Sequence, residues 1–96
     1  MTQTVIIGAA RTPMGAFQGE LSTISATELG GFAIGAAIKN ANISPKVVDD
    51  LLMGCVLPAG LRQAPARQAG IRAGLPDFVP ATTINKVCGS GMKTIL

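Results

Sequence analysis

Thr82-Thr83-Ile84-Asn85-Lys86-Val87-Cys88-Gly89-Ser90-Gly91-Met92-Lys93 is the stretch on which the reading of the fold turns. Thr82 to Val87 has the composition of a strand, and Gly89-Ser90-Gly91 turns the chain into a helix predicted to begin near Ser90. A thiol therefore stands where a strand becomes a helix. Cysteine at a helix N-terminus lies near unpaired backbone N–H groups and the positive end of the dipole, which favours the thiolate. Those N–H groups can also receive an oxyanion. Gly89 and Gly91 clear the approach and permit a sharp turn, the mechanical logic of a nucleophile elbow.

Local pattern leaves two readings of Cys88 open. It is either an activated nucleophile suited to a thioester, or a buried small hydrophobe beside a glycine-rich turn, since free cysteine is among the most buried residue types. Cys55, in Met53-Gly54-Cys55-Val56, has no such turn after it and reads as simple packing. Gly89 to Thr94 also has the look of a phosphate loop, but Met92 stands where glycine should precede Lys93, and its side chain would obstruct the wrap. The chain contains no histidine. Thiolate chemistry commonly needs a base or cationic partner within hydrogen-bond reach, so Cys88 reads as a nucleophile whose activator lies in further sequence.

Upstream, Thr4 to Ala10 reads as a short buried strand ended by Arg11-Thr12-Pro13. Gly15 and Gly19 mark a loop, and Ser25 with Glu28 has capping-box spacing for a helix running to about Ala41. Leu29, Phe32, Ala33 and Ala36 form one apolar face of that helix. Ile34 and Ile38 lie elsewhere on it, which predicts cover on more than one side. Ser44-Pro45 opens a short turn through Val48, Leu51 to Leu57 is a second strand, and Pro65 opens a second helix ending near Gly74. The stripe Ala66, Ala69, Gly70, Ala73 would let a neighbouring backbone approach closely. Met92, Ile95 and Leu96 continue an apolar pattern without a cap, so residues 1–96 read as one unfinished folding unit. The order β-α-β-α-β-α predicts an α/β fold with a largely parallel or mixed sheet.

Composition points the same way. Hydrophobic residues make up 48% of the 96 and charged residues 14%, too little polar surface for a lone globule to cover its core. The chain is expected to associate with copies of itself or to be covered by further polypeptide. No uncharged run approaches a membrane span, and Val5 to Ala10 is too short and too soon interrupted for a secretory signal. Two cysteines without histidine make neither a disulfide framework nor a structural zinc site, which fits a reducing, cytoplasmic setting. A net charge of +3 with scattered basic residues offers no track for nucleic acid.

Three segments together resemble the thiolase family, in order and spacing, over nearly the whole chain. VIIGAARTPMG (5–15) looks like its opening strand and turn, GCVLPAGLRQAPARQA (54–69) like the strand, loop and helix that follow, and TTINKVCGSGMK (82–93) like the stretch carrying the acylated cysteine. The resemblance implies the N-terminal part of a five-layer αβαβα architecture with mixed sheets, of which residues 1–96 would be an incomplete domain. It implies acyl transfer between coenzyme A thioesters with no metal or resident cofactor, and with Cys88 as nucleophile. Condensation of two acetyl-CoA to acetoacetyl-CoA would run through an acyl-cysteine, and thiolysis of a 3-oxoacyl-CoA would be the reverse. The activating histidine and the second, acid-base cysteine would lie beyond Leu96, and Cys55 does not fill the second role. The implied assembly is a homodimer or homotetramer, with the Gly60 to Gln68 loop near the subunit contact and no membrane or nucleic-acid partner. Arg62 is a departure from the resemblance, which implies glycine there in many relatives, and it bears on the loop's conformation and subunit packing. Arg67, Gln68 and Asn85 read as structural, the first two satisfying loop carbonyls and the third orienting the turn around Cys88. The competing reading, from another class, is a non-catalytic oligomerisation module in which Cys88 is a packed thiol.

Overall fold

The computed structural model describes residues 2–96. Ser25 starts the first helix, α1 (Ala26–Ala41), as its sequence predicts: the Glu28 N–H donates to Ser25 Oγ at 3.2 Å, and that hydroxyl donates to Glu28 Oε1 at 3.1 Å. Asn42, left-handed at φ 57°, ends it, with its N–H on the Lys39 carbonyl and the Ile43 N–H on the Ile38 carbonyl. These are the paired bonds of a Schellman stop. Ser44 and Pro45 then open a single 3-10 turn, Pro45–Val47.

Strand β1 (Leu51–Gly54) and strand β2 (Ala81–Ile84) pair in parallel, Leu51 opposite Ala81 and Gly54 opposite Ile84. Parallel neighbours need a crossover, and α2 (Pro65–Arg72) supplies it. One further bond, Cys55 N–H to the Ile84 carbonyl at 2.9 Å, extends the ladder, which stops short of the predicted Leu57. No side chain caps α2, because Ala64 precedes it. Thr83 on β2 takes over that task, accepting the Ala66 N–H at 3.0 Å. Gly74, at φ 87°, closes α2 with bonds from its own N–H to Ile71 and from Leu75 to Gly70.

The core gathers around α2. Ala66, Ala69, Leu75 and Val79 are buried, and the small stripe predicted on α2 does admit a neighbouring helix. The face of α1 that meets it differs from the expected one. Thr27, Gly30 and Gly31 are its buried residues, whereas Phe32 is 65% exposed. Close approach explains the exchange: a Cβ on Gly30 would stand 3.0 Å from Ala69 Cβ, and one on Gly31 2.9 Å from Arg72 Cβ, so bulky residues cannot occupy this seam. Leu29, Phe32, Ala33 and Ala36 instead line an open apolar groove with Pro13, Leu21 and Ile24.

The predicted strand at Thr4 to Ala10 does not form. Residues 2–16 lie outside any helix or strand, and Val5, Ile6 and Ile7 are exposed. A strand requires a partner strand for its N–H and C=O groups, and among the described residues no strand pairs with this segment. Gly8 rests against the end of α1, where a Cβ would come within 2.8 Å of the Ala37 carbonyl, and Asn40 Nδ2 donates to the Ala9 carbonyl at 2.9 Å. The last helix, α3 (Ser90–Lys93), packs on β1 and β2. No helix of the described residues is long and apolar enough to cross a membrane.

Candidate active site around Cys88

Cys88 lies just beyond β2 and just before α3, and its residue is exposed. Within residues 2–96 it is therefore not packed against the rest of the chain. Cys55 is half-buried among Met53, Leu61, Pro65 and Ala69, in keeping with its predicted packing role.

The turn that presents Cys88 is built from its neighbours' polar groups. Asn85 Oδ1 accepts the Val87 N–H at 3.0 Å, while Asn85 Nδ2 donates to the Val56 carbonyl at 3.2 Å and ties the turn to the end of β1. This is the orienting part expected of Asn85. The Ser90 hydroxyl accepts the Lys86 N–H at 2.8 Å and donates to the Val87 carbonyl at 2.6 Å. The Gly89 N–H closes onto the Lys86 carbonyl at 3.0 Å.

Gly89 and Gly91 do not carry the conformational burden assigned to them. Gly89 has φ −93°, open to any residue, and the left-handed position in this turn is Val87 at φ 47°. A Cβ on Gly91 would meet nothing within 4 Å, and one on Gly89 only the Lys86 carbonyl at 3.5 Å. Their lack of side chains leaves the space at these two positions open. Gly54 is the glycine that the turn does require, since a Cβ there would come within 2.5 Å of the Ser90 carbonyl carbon.

Two of these features escaped the sequence reading. Gly54 had a usable signal, because glycine inside a strand often marks a close approach of another backbone. A left-handed valine has none, as it opposes the residue's own preference. The phosphate-loop resemblance finds no support either: the Ser90 and Thr94 hydroxyls are both spent on backbone carbonyls, Thr94 Oγ1 donating to Gly91 at 2.6 Å.

Arg67 and Gln68, both on α2, satisfy loop carbonyls as expected. Arg67 donates to the carbonyls of Val79 at 2.9 Å and Asp77 at 2.6 Å, and Gln68 Nε2 to those of Leu61 at 2.6 Å and Gln63 at 2.7 Å. Arg62 has φ 66°, a left-handed position that favours glycine. No cluster of histidine, cysteine, aspartate and glutamate among the described residues could hold a metal ion. Chemically, the arrangement is an accessible thiol on a fixed backbone.

Comparison with known proteins gives this geometry a context. Residues 4–96 match the family described as thiolase, N-terminal domain. An acetyl-CoA acetyltransferase of Cupriavidus necator is 55% identical over all 96 residues, which cover 24% of its length. Acetyl-CoA acetyltransferase 2 of Arabidopsis thaliana is 56% identical over 91 residues, covering 95% of this chain and 23% of its own. Among solved structures, a thiolase from Ascaris suum crystallised with coenzyme A superposes with a TM-score of 0.92 at 40% identity, over 94% of this chain and 24% of that one. The chain thus spans about a quarter of the length of the relatives it matches.

Proposed function

The chain belongs to the thiolase family, whose N-terminal domain residues 4–96 match, and on that premise we propose that it opens an acetyl-CoA C-acetyltransferase in which Cys88 is the nucleophile. The carrying observation is the exposed Cys88 thiol on a turn fixed by Asn85 and Ser90. Its thiolate attacks the thioester carbonyl of acetyl-CoA. A new C–S bond forms, the C–S bond to coenzyme A breaks, and the departing thiolate takes up a proton. A second acetyl-CoA then loses an α-proton, its carbanion attacks the acyl-cysteine, and acetoacetyl-CoA leaves as Cys88 is freed. Thiolysis of a 3-oxoacyl-CoA runs the same steps backwards. The open space beside Gly89 and Gly91 gives the acyl group room to approach.

In this reading residues 1–96 are an incomplete N-terminal domain of a five-layer αβαβα fold with mixed sheets, in which Val5 to Ile7 finds strand neighbours. The histidine and acid-base cysteine come from the remainder of a longer chain. A homodimer or homotetramer in the cytoplasm completes the proposal, with coenzyme A thioesters as its only small-molecule partners.

Intact mass and peptide mapping of the purified protein before and after acetyl-CoA test the reading. A single acetyl group on Cys88 with Cys55 unmodified is the expected result. Equal slow labelling of both cysteines by an alkylating agent, with no acetyl transfer, would favour an oligomerisation module instead.

A further inference from the structure

We propose that Ser90 is a positioning residue for Cys88: by gripping the backbone on both sides of Val87 it holds that valine left-handed, and so sets where the thiol stands. The consequence for catalysis rests on the acylation reading above. The device itself rests on geometry.

A β-branched residue at positive φ is an outlier, and such residues persist only where their surroundings over-determine them. Val87, at φ 47°, is held in this way. Its N–H is fixed by Asn85, and its carbonyl receives both the Ser90 hydroxyl at 2.6 Å and the Ser90 N–H at 3.2 Å. The same hydroxyl takes the Lys86 N–H at 2.8 Å, so one oxygen clamps the residues on either side of the Lys86–Val87 peptide. Ser90 is only 5% exposed, which leaves little room for water to replace it. It cannot retreat, because Gly54 lets β1 close behind it to within the space of a single methyl group. Without the hydroxyl, Lys86 and Val87 lose their shared partner and Val87 is free to leave the left-handed region. Cys88, the next residue, then swings with it. Glycine at position 87 would remove the need for the clamp, since glycine adopts positive φ at no steric cost.

The test is a four-member cycle in the complete protein: wild type, Ser90→Ala, Val87→Gly and the double variant. The readouts are the saturating rate of Cys88 acetylation by acetyl-CoA and the concentration giving half that rate. With valine at 87, Ser90→Ala is expected to lower the saturating rate about tenfold and leave the half-saturating concentration within about twofold, as misplacement of a reacting group does. With glycine at 87 the loss is expected to shrink below about threefold, a non-additivity that signals a shared device. The same fold loss in both backgrounds, or no loss on Ser90→Ala, overturns the proposal.

Should wild-type Cys88 take no acetyl group, the acylation reading fails. The cycle is then read by the rate of iodoacetamide alkylation at Cys88, with the same pattern expected. If Ser90→Ala does not fold, urea unfolding of Val87→Gly decides the matter. Relief of strain should favour the native state about threefold or more, and a shift towards the unfolded state overturns the proposal.

Discussion

At the scale of single residues, the local rules of the sequence are broken at a few backbone positions, one of them in the loop before α2 and one beside Cys88. Arg62 is one, left-handed at φ 66°. The left-handed region costs a side-chain-bearing residue about 1 kcal/mol, while glycine gives back about 0.5–1 kcal/mol through the entropy of its unfolded chain. Arg62→Gly should therefore change stability by no more than ~0.5 kcal/mol in urea unfolding, whereas β-branched Arg62→Val should lose about 1 kcal/mol. Arg67 offers a second test. Its guanidinium holds the carbonyls of Asp77 and Val79, so Arg67→Met keeps the apolar stem and drops both bonds, an expected loss of about 2 kcal/mol. The part played by Arg67 was legible, because a long donor beside a loop rich in unpaired carbonyls has an evident use. Val87 was not. Its conformation is imposed by Asn85 and Ser90 against its own preference, and no pattern of residue types encodes a conflict of that kind.

At the scale of elements, short-range signals served well and long-range ones less so. The N-cap at Ser25, the proline openings at Pro45 and Pro65, and the glycine stop at Gly74 all depend on contacts within a few residues, and the structure places each where it was expected. The buried face of α1 depends on which neighbour arrives. Periodicity selects large apolar residues, but α2 comes so close that only Gly30 and Gly31 fit. Substitution in α1 separates the two influences. Gly35→Ala meets no atom within 4 Å and should stabilise the chain by about 0.5–1 kcal/mol through helix propensity alone. Gly31→Ala has the same propensity gain but forces its methyl to 2.9 Å from Arg72 Cβ, and should be destabilising by about 1–3 kcal/mol. Thermal melts followed by circular dichroism rank the two, and an equal rise for both would show that the α1–α2 seam is looser than described. The strand at Thr4 to Ala10 failed for the same long-range reason, since β-branched residues encode a preference for a sheet and cannot supply its other strand.

At the scale of the whole molecule, exposed area is the most telling quantity. A folded monomer of 9.7 kDa should expose about 5,100 Å². This chain exposes 7232 Å². The excess, roughly 2,000 Å², is of the size buried in permanent protein interfaces. Much of it is apolar, at Val5 to Ile7, Phe32, Leu57, Met92 and Ile95. Burial of such area is the dominant force in association, so the 96-residue chain by itself should gather into oligomers at micromolar concentration. Ile6, 78% exposed, tests which partner the surface was made for. In the isolated chain Ile6→Asp should leave monomer stability within ~0.5 kcal/mol, because its side chain is already in water, and should weaken self-association in sedimentation. In the complete protein, where the proposed fold gives Val5 to Ile7 strand neighbours on both sides, the same carboxylate would be buried without a partner. A loss of several kcal/mol is then expected, enough to abolish folded protein at 37 °C. Unchanged stability in the complete protein would mean that the segment remains at the surface there too, and the five-layer placement of this chain would have to be abandoned.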